Sequence, residues 1–285
     1  MAVRLTTGAE AEAAGRALAE ADRALSAIRA HGTDADFFLD YSRWAVEQAR
    51  ALRSMVATPH LADLILTPRH AMLQTIGAGL RGEPEAPHLR LLTSAEIEER
   101  HAELSLAAAE LRREHDSWSA AGTLVLPDTN VFLHHREKFD EIAWPALLNT
   151  DGPVTVVVPI IILRELDRQK TAGHKQKRFR AGYSLSRIDT LFDGKLIETE
   201  RPELAGAGSA RLRVIIGALD HRPLDRADDE IISQALTVQS WSGRPVALIT
   251  FDTGMAFTAR QNGLPVVKLG QADVHQEFAI PEPRR

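Results

Sequence analysis

The chain contains no cysteine. Disulfide bonds, thiolate zinc sites and cysteine nucleophiles are therefore excluded, and we expect a reducing cytoplasm as its compartment. Its beginning lacks the apolar core of a secretory signal, and no stretch approaches the roughly 20 consecutive apolar residues that a membrane helix needs. The longest apolar run, residues 154–163, is interrupted by Pro159, which is typical of a buried strand entering a helix. No membrane association is expected.

The composition is that of an ordinary globular protein. Its 285 residues, 44% hydrophobic and 26% charged, suffice for one large domain or two modest ones. The net charge of -5 does not favour nucleic-acid binding in general, but the charge is unevenly distributed. Between positions 164 and 180 lies a basic stretch in which only Glu165 and Asp167 oppose the positive charge. Its basic residues are Arg164, Arg168, Lys170, Lys175, Lys177, Arg178 and Arg180.

Residues 1 to about 120 have the pattern of a helical domain, with apolar residues at helical spacing among abundant Ala, Glu, Arg and Leu. Thr33 or Asp34 is expected to cap the second helix, and Thr93 with Glu96 has the sequence of a capping box for the third. The predicted helices span about 10–30, 33–56 and 93–117, with a loop over 82–87. No catalytic motif occurs in this half. The sequence leaves open whether it binds substrate, self-associates as a homo-oligomer or recruits a protein partner.

Beyond residue 120 the pattern changes to short apolar runs that alternate with amphipathic segments. The predicted strands are 123–126, 154–158, 195–199, 213–216, 246–250 and 266–269. The predicted helices are 131–148, 160–170, 175–192, 229–241 and 254–262. Such alternation is typical of a mainly parallel sheet with helices on both faces. We therefore predict a helical domain over 1–120 and a three-layer α/β/α domain over 121–285.

Four acidic residues of this second half lie at the edges of apolar runs, at predicted junctions between strands and helices. They are Asp128, Glu165, Asp229 and Asp252. Each alone has an ordinary explanation as a helix cap or a solvated surface residue. Together they are expected to meet beyond the carboxyl ends of the strands, where ligands of parallel sheets bind, with Asn130 and Thr250 placed to hydrogen-bond them. Because clustered carboxylates repel one another, such a site needs protons or divalent cations.

Four segments resemble, in their order and spacing, the motifs of PIN-domain nucleases. Residues 124–134 look like the family's first strand and Asp-Thr-Asn turn, and residues 156–168 look like its second strand and acidic helix. Residues 227–235 and 248–263 are similar to its third and fourth acidic motifs. The resemblance extends from about 123 to 270, whereas the helical half has no counterpart in the minimal family domain.

The resemblance implies a Rossmann-like PIN fold and a ribonuclease that hydrolyses phosphodiester bonds with one or two Mg²⁺ or Mn²⁺ ions. By that resemblance the metal ligands are the four acidic residues named above, and Asn130 and Thr250 orient them. Asp228 and Asp229 are adjacent, and successive helical residues point about 100° apart, so one of the two is expected to face the metal. Asp229 fits the motif better, and Asp228 is the alternative. A metal lowers the pKa of its bound water, so no separate protein base is required.

The basic stretch follows Glu165 and is expected to lie near the acidic site. It predicts contacts to backbone phosphates, with Phe179 or Tyr183 available to stack on bases. Because such contacts carry no sequence readout, single-stranded or structured RNA is the expected substrate. A solvated helical surface is the ordinary alternative. His134 and His135 follow the first motif closely, but adjacent histidines at a helix start are more often surface or core residues.

Three other functions fit parts of the sequence. A phosphatase with an aspartyl nucleophile at Asp128 is disfavoured, because that chemistry usually needs a second Asp two residues on and this chain has Asn130 there. A non-catalytic nucleic-acid-binding or scaffold protein is disfavoured by the presence of all four acids. The toxin of a toxin–antitoxin pair is typically little more than the bare domain, whereas a long helical segment is attached here.

Overall fold

The computed structural model describes residues 3–6, 8–28, 33–79, 86–171, 174–193, 202–204, 209–217 and 221–276. Contacts divide the chain into two compact units, Met1–Trp118 with Ser240–Gly243, and Ser119–Gln239 with Arg244–Arg285. The domain boundary drawn from the sequence at residue 120 stays a prediction, which truncation of the chain at that point would test. None of the helices in the described ranges is long and apolar enough to cross a membrane.

The first unit is helical in its described part. Its helices are α1 (Ala11–Ser26), α2 (Asp34–Leu52), α3 (Thr58–Leu64), α4 (Pro68–Gly79) and α5 (Ala86–Asp116). The apolar face of α1, which includes Leu18 and Leu25, is fully buried and packs mainly against α5. Trp44 of α2 is buried in the same core, and its indole Nε1 donates to the backbone carbonyl of Ala21 at 3.0 Å. The helical character predicted for this half is confirmed.

The two predicted caps of this unit have different outcomes. Thr33 caps α2 as predicted, because its hydroxyl accepts from the Asp36 N–H at 3.2 Å and the Asp36 carboxylate accepts from the Thr33 N–H at 2.8 Å. Helix α5, by contrast, begins at Ala86. Thr93 therefore lies inside the helix, where its hydroxyl donates to the backbone carbonyl of Leu89 at 2.8 Å. The predicted capping box is wrong because the helix starts before it.

The second unit contains a five-stranded, entirely parallel sheet in the order β3-β2-β1-β4-β5. The strands are β1 (Thr123–Pro127), β2 (Val154–Pro159), β3 (Ala210–Ile215), β4 (Val246–Thr250) and β5 (Val266–Lys268). The helices that begin in this unit are α6 (Thr129–His134), α7 (Trp144–Leu147), α8 (Ile160–Thr171), α9 (Lys175–Phe192), α10 (Ala227–Ser242) and α11 (Thr253–Gln261). The predicted α/β fold with a parallel sheet and flanking helices is confirmed.

Some sequence predictions differ in detail. The helix predicted over 131–148 forms as the two short helices α6 and α7, because the chain turns between them and Pro145 starts α7 afresh. In that turn the Trp144 indole donates to the backbone carbonyl of Phe139 at 3.1 Å. The strand predicted over 195–199 lies outside the described residues, as do residues 82–85 of the predicted loop. The last two residues of that loop open α5.

The sheet positions the candidate site at the carboxyl ends of β1 and β4. The chain winds from β1 to β2 and β3 on one side, and β4 and β5 lie on the other side of β1. In such doubly wound sheets the crevice for ligands lies where the strand order reverses. The register pairs Pro127 with Ile249, so Asp128 and Thr250 follow at the same edge of the sheet. The topology therefore brings two of the predicted site residues together.

Candidate active site

Asp128 forms the centre of the candidate site. It follows β1 directly, and its side chain is the N-cap of α6, accepting from the Val131 N–H at 3.0 Å. The Thr250 hydroxyl donates to its other carboxylate oxygen. The Asp128 backbone N–H donates to the carbonyl of Ile249 at 2.9 Å, which ties the end of β1 to β4. The side chain is thus held on both oxygens, and the residue is only 2% exposed.

Burial raises the pKa of Asp128 to about 6. Hydrogen bonds from Thr250 and from the backbone N–H groups of Val131 and Asn130 lower that pKa, but they do not offset the loss of hydration. The negative charge of Asp228 raises it further. At neutral pH the ionised carboxylate is therefore buried at a cost in free energy, and a cation at the site would relieve it.

Asp252 is connected to Asp128 by hydrogen bonds that both residues make with Thr250. It is the N-cap of α11, and its carboxylate accepts from the Met255 N–H at 2.7 Å. Its backbone N–H donates to the hydroxyl oxygen of Thr250 at 2.9 Å. Because the same fully buried hydroxyl donates to Asp128, Thr250 links the two acidic residues. The Asp252 side chain itself is exposed and open to a ligand.

Asp228, in the first turn of α10, is the acid of that helix that interacts with this pair. Burial raises its pKa, and the charge of Asp252 raises it further, while Arg226 opposes the shift. The charge of Asp228 acts in turn on Asp128. Asp229, which the motif favours, is alike in exposure, 44% against 48% for Asp228, and each of the two acids has an oxygen 4.0 Å from Arg226, so only the effect on Asp128 separates them. The electrostatic contacts therefore favour Asp228, the alternative, as the acid that joins Asp128 and Asp252.

Glu165 reaches the first motif through a residue that the sequence reasoning missed. The Thr129 hydroxyl donates to Glu165 Oε2 at 2.5 Å, and this connects α8 to the start of α6. The other oxygen of Glu165 lies 4.0 Å from Arg168 Nη2. Thr129 lies between Asp128 and Asn130 in the Asp-Thr-Asn turn. Its hydroxyl, directly next to a predicted metal ligand, is the feature of the sequence that indicates a role at the site. Asn130 contributes its backbone N–H to Asp128, and its side chain is exposed.

The start of α10 is fixed by Glu230, another residue that the sequence reasoning missed. Its buried carboxylate accepts from His221 Nε2 at 2.7 Å, from the Leu224 N–H at 3.0 Å and from Gln234 Nε2 at 2.7 Å. Burial alone would raise the pKa of Glu230, but these hydrogen bonds together lower it. The carboxylate therefore stays ionised and holds residues 221–224 against the turn that carries Asp228.

The donor set has the chemistry that a hard divalent cation needs. The side chains at the site offer carboxylate oxygens, which are the ligands that Mg²⁺ and Mn²⁺ prefer. The charge of Asp228 raises the pKa of Asp128, and the charge of Asp252 raises that of Asp228, so negative potential is concentrated there. Within the described ranges, no three His, Cys, Asp or Glu side chains lie close enough to enclose an ion by themselves. The residues fit the ion by charge and ligand type, and the ion would have to draw them closer.

The adjacent histidines after the first motif belong to the packing. His135 is buried, and its Nδ1 accepts from the Glu137 N–H at 3.1 Å. Burial lowers the pKa of His134 to about 4, and the positive charges of Lys177 and Arg180 lower it further. His134 is therefore uncharged at neutral pH. Its backbone carbonyl accepts from the His275 N–H at 2.8 Å, which attaches the C-terminal segment to the end of α6.

Most of the basic stretch lies on the surface of α8 and α9. The exposed members are Arg164, Arg168, Lys170, Lys175 and Arg178. Lys170 lies 3.8 Å from the carboxylate of Asp167, and Lys177 is half-buried. Because Arg168 also lies beside Glu165, the exposed charges adjoin the candidate site.

Arg180 is a correction to the predicted nucleic-acid-binding set. It is 3% exposed, and its Nη2 donates to the backbone carbonyls of His135 at 2.6 Å and Arg136 at 2.9 Å. The guanidinium lies on the buried face of α9 with Ala181 and Ser184. Its donors hold the turn that follows α6, so it does not reach a phosphate in solvent.

The two aromatic residues of α9 differ in availability. The Tyr183 hydroxyl donates to the carboxylate of Asp140 at 3.1 Å, and Lys138 Nζ lies 4.6 Å from the centre of its ring. Phe179 is 56% exposed, one turn away, next to the exposed Arg178. Of the two, Phe179 is therefore the ring that a base could stack on.

Comparison with known proteins agrees with this geometry. A family model of the PIN domain matches residues 125–270, slightly more than half of the 285 residues. No curated protein matches the chain. The matched segment begins within β1 and contains all of the candidate site acids, namely Asp128 after β1, Glu165 in α8, Asp228 and Asp229 in α10, and Asp252 after β4. By sequence and by fold, the chain belongs to the PIN-domain family, whose members are generally nucleases.

Proposed function

We propose that the protein is a divalent-metal-dependent ribonuclease that hydrolyses phosphodiester bonds of single-stranded or structured RNA. The observation that carries the proposal is the electrostatic coupling of Asp128, Asp228 and Asp252 at the switch point of the sheet. A purely structural role would not require three carboxylates to share one region of negative potential. The cytoplasmic location expected for a chain without cysteine is part of the proposal.

In this proposal Asp128, Asp228 and Asp252 hold one or two Mg²⁺ or Mn²⁺ ions, with Glu165 completing the set. A bound ion of this type polarises a phosphoryl oxygen and lowers the pKa of its water. The chain's own residues prepare the site. The Thr250 hydroxyl fixes Asp128 and the backbone of Asp252, and the Thr129 hydroxyl fixes Glu165. These bonds hold the carboxylate oxygens in place before substrate arrives.

The exposed part of the basic stretch supplies the proposed contact with the RNA backbone. Arg164, Arg168, Lys175 and Arg178 can neutralise phosphates without reading bases. Phe179 adds an exposed ring for a base, which a strand without a paired partner can present. A helical duplex keeps its bases stacked inside, so it would gain less from this ring.

A cleavage assay with single-stranded RNA tests the proposal. We expect Mg²⁺ or Mn²⁺ to support cleavage, chelation to stop it, and Asp128→Asn to reduce it below detection. Asp151→Asn is the matched control, because Asp151 is exposed and precedes β2, at the opposite end of the strands. If folded Asp128→Asn protein cleaves as fast as the control, the site is wrongly identified. Metal-independent binding of RNA without cleavage would favour the non-catalytic scaffold.

A paired substitution distinguishes the two adjacent acids of α10. Asp228→Asn should abolish cleavage, because the charge of Asp228 acts on Asp128. Asp229→Asn should leave most of the activity, because Asp228 and not Asp229 is the acid of α10 whose charge acts on Asp128. The reverse result would restore Asp229 as the metal ligand that the sequence motif favours.

A further inference from the structure

The helical unit contains a cavity of about 330 Å³ between α3, the start of α4 and α5. This volume lies at the lower end of the range of small-molecule sites, roughly 300–1,000 Å³. It is also far larger than the share of one water molecule, about 30 Å³. The charged residues that line it are Asp63, Arg69, Glu96, Glu99 and Arg100. The hydrogen bonds and charges of these residues determine which class of ligand the cavity can bind.

Glu96 presents an unsatisfied acceptor to this cavity. Its side chain is 1% exposed, and Oε1 accepts from the Thr67 hydroxyl at 2.8 Å. Oε2 receives no hydrogen bond from the described residues, and its closest cation is Arg69 Nη1 at 3.5 Å. A buried carboxylate oxygen without a donor is costly. A ligand with an N–H group in the cavity would supply that donor.

The two guanidinium groups at the cavity are already engaged by the protein. Arg100 Nη1 donates to the backbone carbonyls of Asp63 at 2.6 Å and Leu64 at 3.3 Å, and its Nη2 lies 3.2 Å from the Glu99 carboxylate. The remaining nitrogen, Nε, lies 3.1 Å from Glu96 Oε1. Arg69 Nη1 donates to the other oxygen of Glu99. Both guanidiniums are therefore ion-paired with carboxylates of the protein, although Arg100 Nε, like Glu96 Oε2, makes no hydrogen bond within the described residues.

The charges that line the cavity do not balance. Three carboxylates face two guanidiniums, which leaves one negative charge. Tyr41 and His70 contact this network, but neither neutralises it. Burial raises the pKa of Tyr41, so its hydroxyl keeps its proton, and burial lowers the pKa of His70, so its ring is uncharged at neutral pH. Glu96 and Glu99 are ion-paired with the two guanidiniums, so the excess negative charge of the lining is that of Asp63, whose side chain is exposed.

We propose that this cavity binds a small organic cation, whose ammonium or guanidinium group donates to Glu96 Oε2. The charge of the lining disfavours an anion. A metal ion is also disfavoured, because within the described ranges no three side chains of the metal-binding types are grouped to hold one. An ammonium group carries three donors on a compact head, which suits one free carboxylate oxygen and its acidic neighbours.

Calorimetric titration of the full chain with 1,4-diaminobutane tests the proposal, and 1,4-butanediol serves as a neutral probe of the same length. We expect saturable binding of the diamine with one site and none of the diol. Glu96→Gln should weaken binding by at least about tenfold, because it removes the charge from the accepting group. Asp63→Asn provides a milder test, because its side chain is exposed and its removal leaves the buried network in place.

Glu98→Gln is the matched control, because Glu98 is exposed on the same helix and does not line the cavity. It removes the same charge from the chain, so it should leave binding of the diamine unchanged. The proposal is overturned if the diamine shows no saturable binding. It is also overturned if the diol binds as well, or if Glu98→Gln weakens binding as much as Asp63→Asn, since the attraction would then be to the acidic protein as a whole.

Discussion

Asp128→Asn should stabilise the metal-free protein at neutral and alkaline pH while it removes activity. The folded pKa of Asp128 is about 6 and its ordinary value is 3.8, a difference of about two units. At about 1.4 kcal/mol for each unit, the ionised carboxylate lowers the free energy of unfolding by about 3 kcal/mol. The folded pKa of about 6 already includes the hydrogen bond from Thr250, so its weakening in the amide is not subtracted again. The gain for the variant is therefore about 3 kcal/mol.

The gain should depend on pH in a defined way. Below about pH 4 Asp128 is protonated in both the folded and the unfolded state, so its raised folded pKa does not lower the free energy of unfolding there. Between about pH 4 and pH 6 the unfolded chain ionises first, and the parent loses stability as pH rises. Above about pH 6 both states are ionised and the loss is constant. The variant lacks this titration, so its advantage should grow between about pH 4 and pH 6 and then level off.

Urea unfolding of parent and variant at pH 4, 6 and 8, with a chelator present, measures this difference. The helical unit contributes equally to both proteins, so the difference in unfolding free energy reports the site. A difference that does not change with pH would refute the argument that Asp128 is buried as a high-pKa acid. A variant that is less stable at every pH would show that the hydrogen bond from Thr250 outweighs the cost of burying the charge.

Mn²⁺ should reverse the order of stability. An ion that binds only the folded state stabilises it by RT ln(1 + [L]/Kd), about 4.1 kcal/mol at a thousandfold excess over Kd. The parent should gain this amount and an Asp128→Asn/Asp252→Asn double variant should not. Equal shifts in melting temperature would argue against a metal at the site.

Three further substitutions test the roles of single side chains. Arg180→Ala should destabilise the protein by about 3 kcal/mol in urea unfolding, because it leaves the buried carbonyl of His135 and the part-buried carbonyl of Arg136 without their donor. Arg178→Ala should leave stability unchanged and weaken RNA binding, and equal effects of the two variants on stability would contradict the burial argument. Phe179→Ala should weaken binding of single-stranded RNA by about 1–3 kcal/mol in a titration. Phe257→Ala, which removes an exposed ring of α11, is the control that should leave binding unchanged. Glu230→Gln should lower kcat by roughly tenfold and leave KM unchanged in steady-state kinetics, because it loosens the turn that carries Asp228. An unchanged kcat would show that Glu230 does not position Asp228.

The central strands were predictable because their environment is uniform. β1 and β2 are buried on both faces, so they read as continuous apolar runs that end abruptly at a polar residue. The same abrupt ends identified Asp128 and the segment before Glu165. Since all strands of a parallel sheet end at the same edge, Asp128 and Asp252 were expected at one edge. That β1 and β4 are neighbours, which brings the two residues together, is a property of the folded sheet.

The start of α5 was not predictable from the capping-box motif. Thr93 and Glu96 have the right spacing for a cap, but in the folded helix the Thr93 hydroxyl donates to the carbonyl one turn earlier. Proline is favoured in the first turn of a helix, and Pro87 follows the first residue of α5. Glu96 then faces the buried side of the helix, where it meets Thr67 and Arg100. A spacing motif is compatible with both positions, and tertiary packing decides between them.

The orientation of a side chain on its helix escaped prediction for the same reason. Arg180 belongs by composition to the basic stretch, yet the turn after α6 requires donors at its carbonyls, and Arg180 lies on the face of α9 that meets it. Asp228 and Asp229 are equivalent in composition, and the direction in which α10 leaves residues 221–226 decides which one approaches Asp128. Glu230 fixes that direction through contacts with Leu224 and His221. None of these partners is recognisable from the charge pattern of the helix itself.

The energetics of Asp128 connect the fold to the proposed activity. The position is a helix cap, and an uncharged asparagine would cap α6 equally well without the cost of a buried charge. The carboxylate is stabilised incompletely by Thr250 and by two backbone N–H groups, and the charge of Asp228 makes its ionisation less favourable still. A divalent ion would offset both unfavourable contributions, because it neutralises the buried charge of Asp128 and screens its repulsion from Asp228. The ionised carboxylate of Asp128 thus destabilises the folded protein by an amount that a metal ion would remove, which is expected of a metal ligand and not of a helix cap.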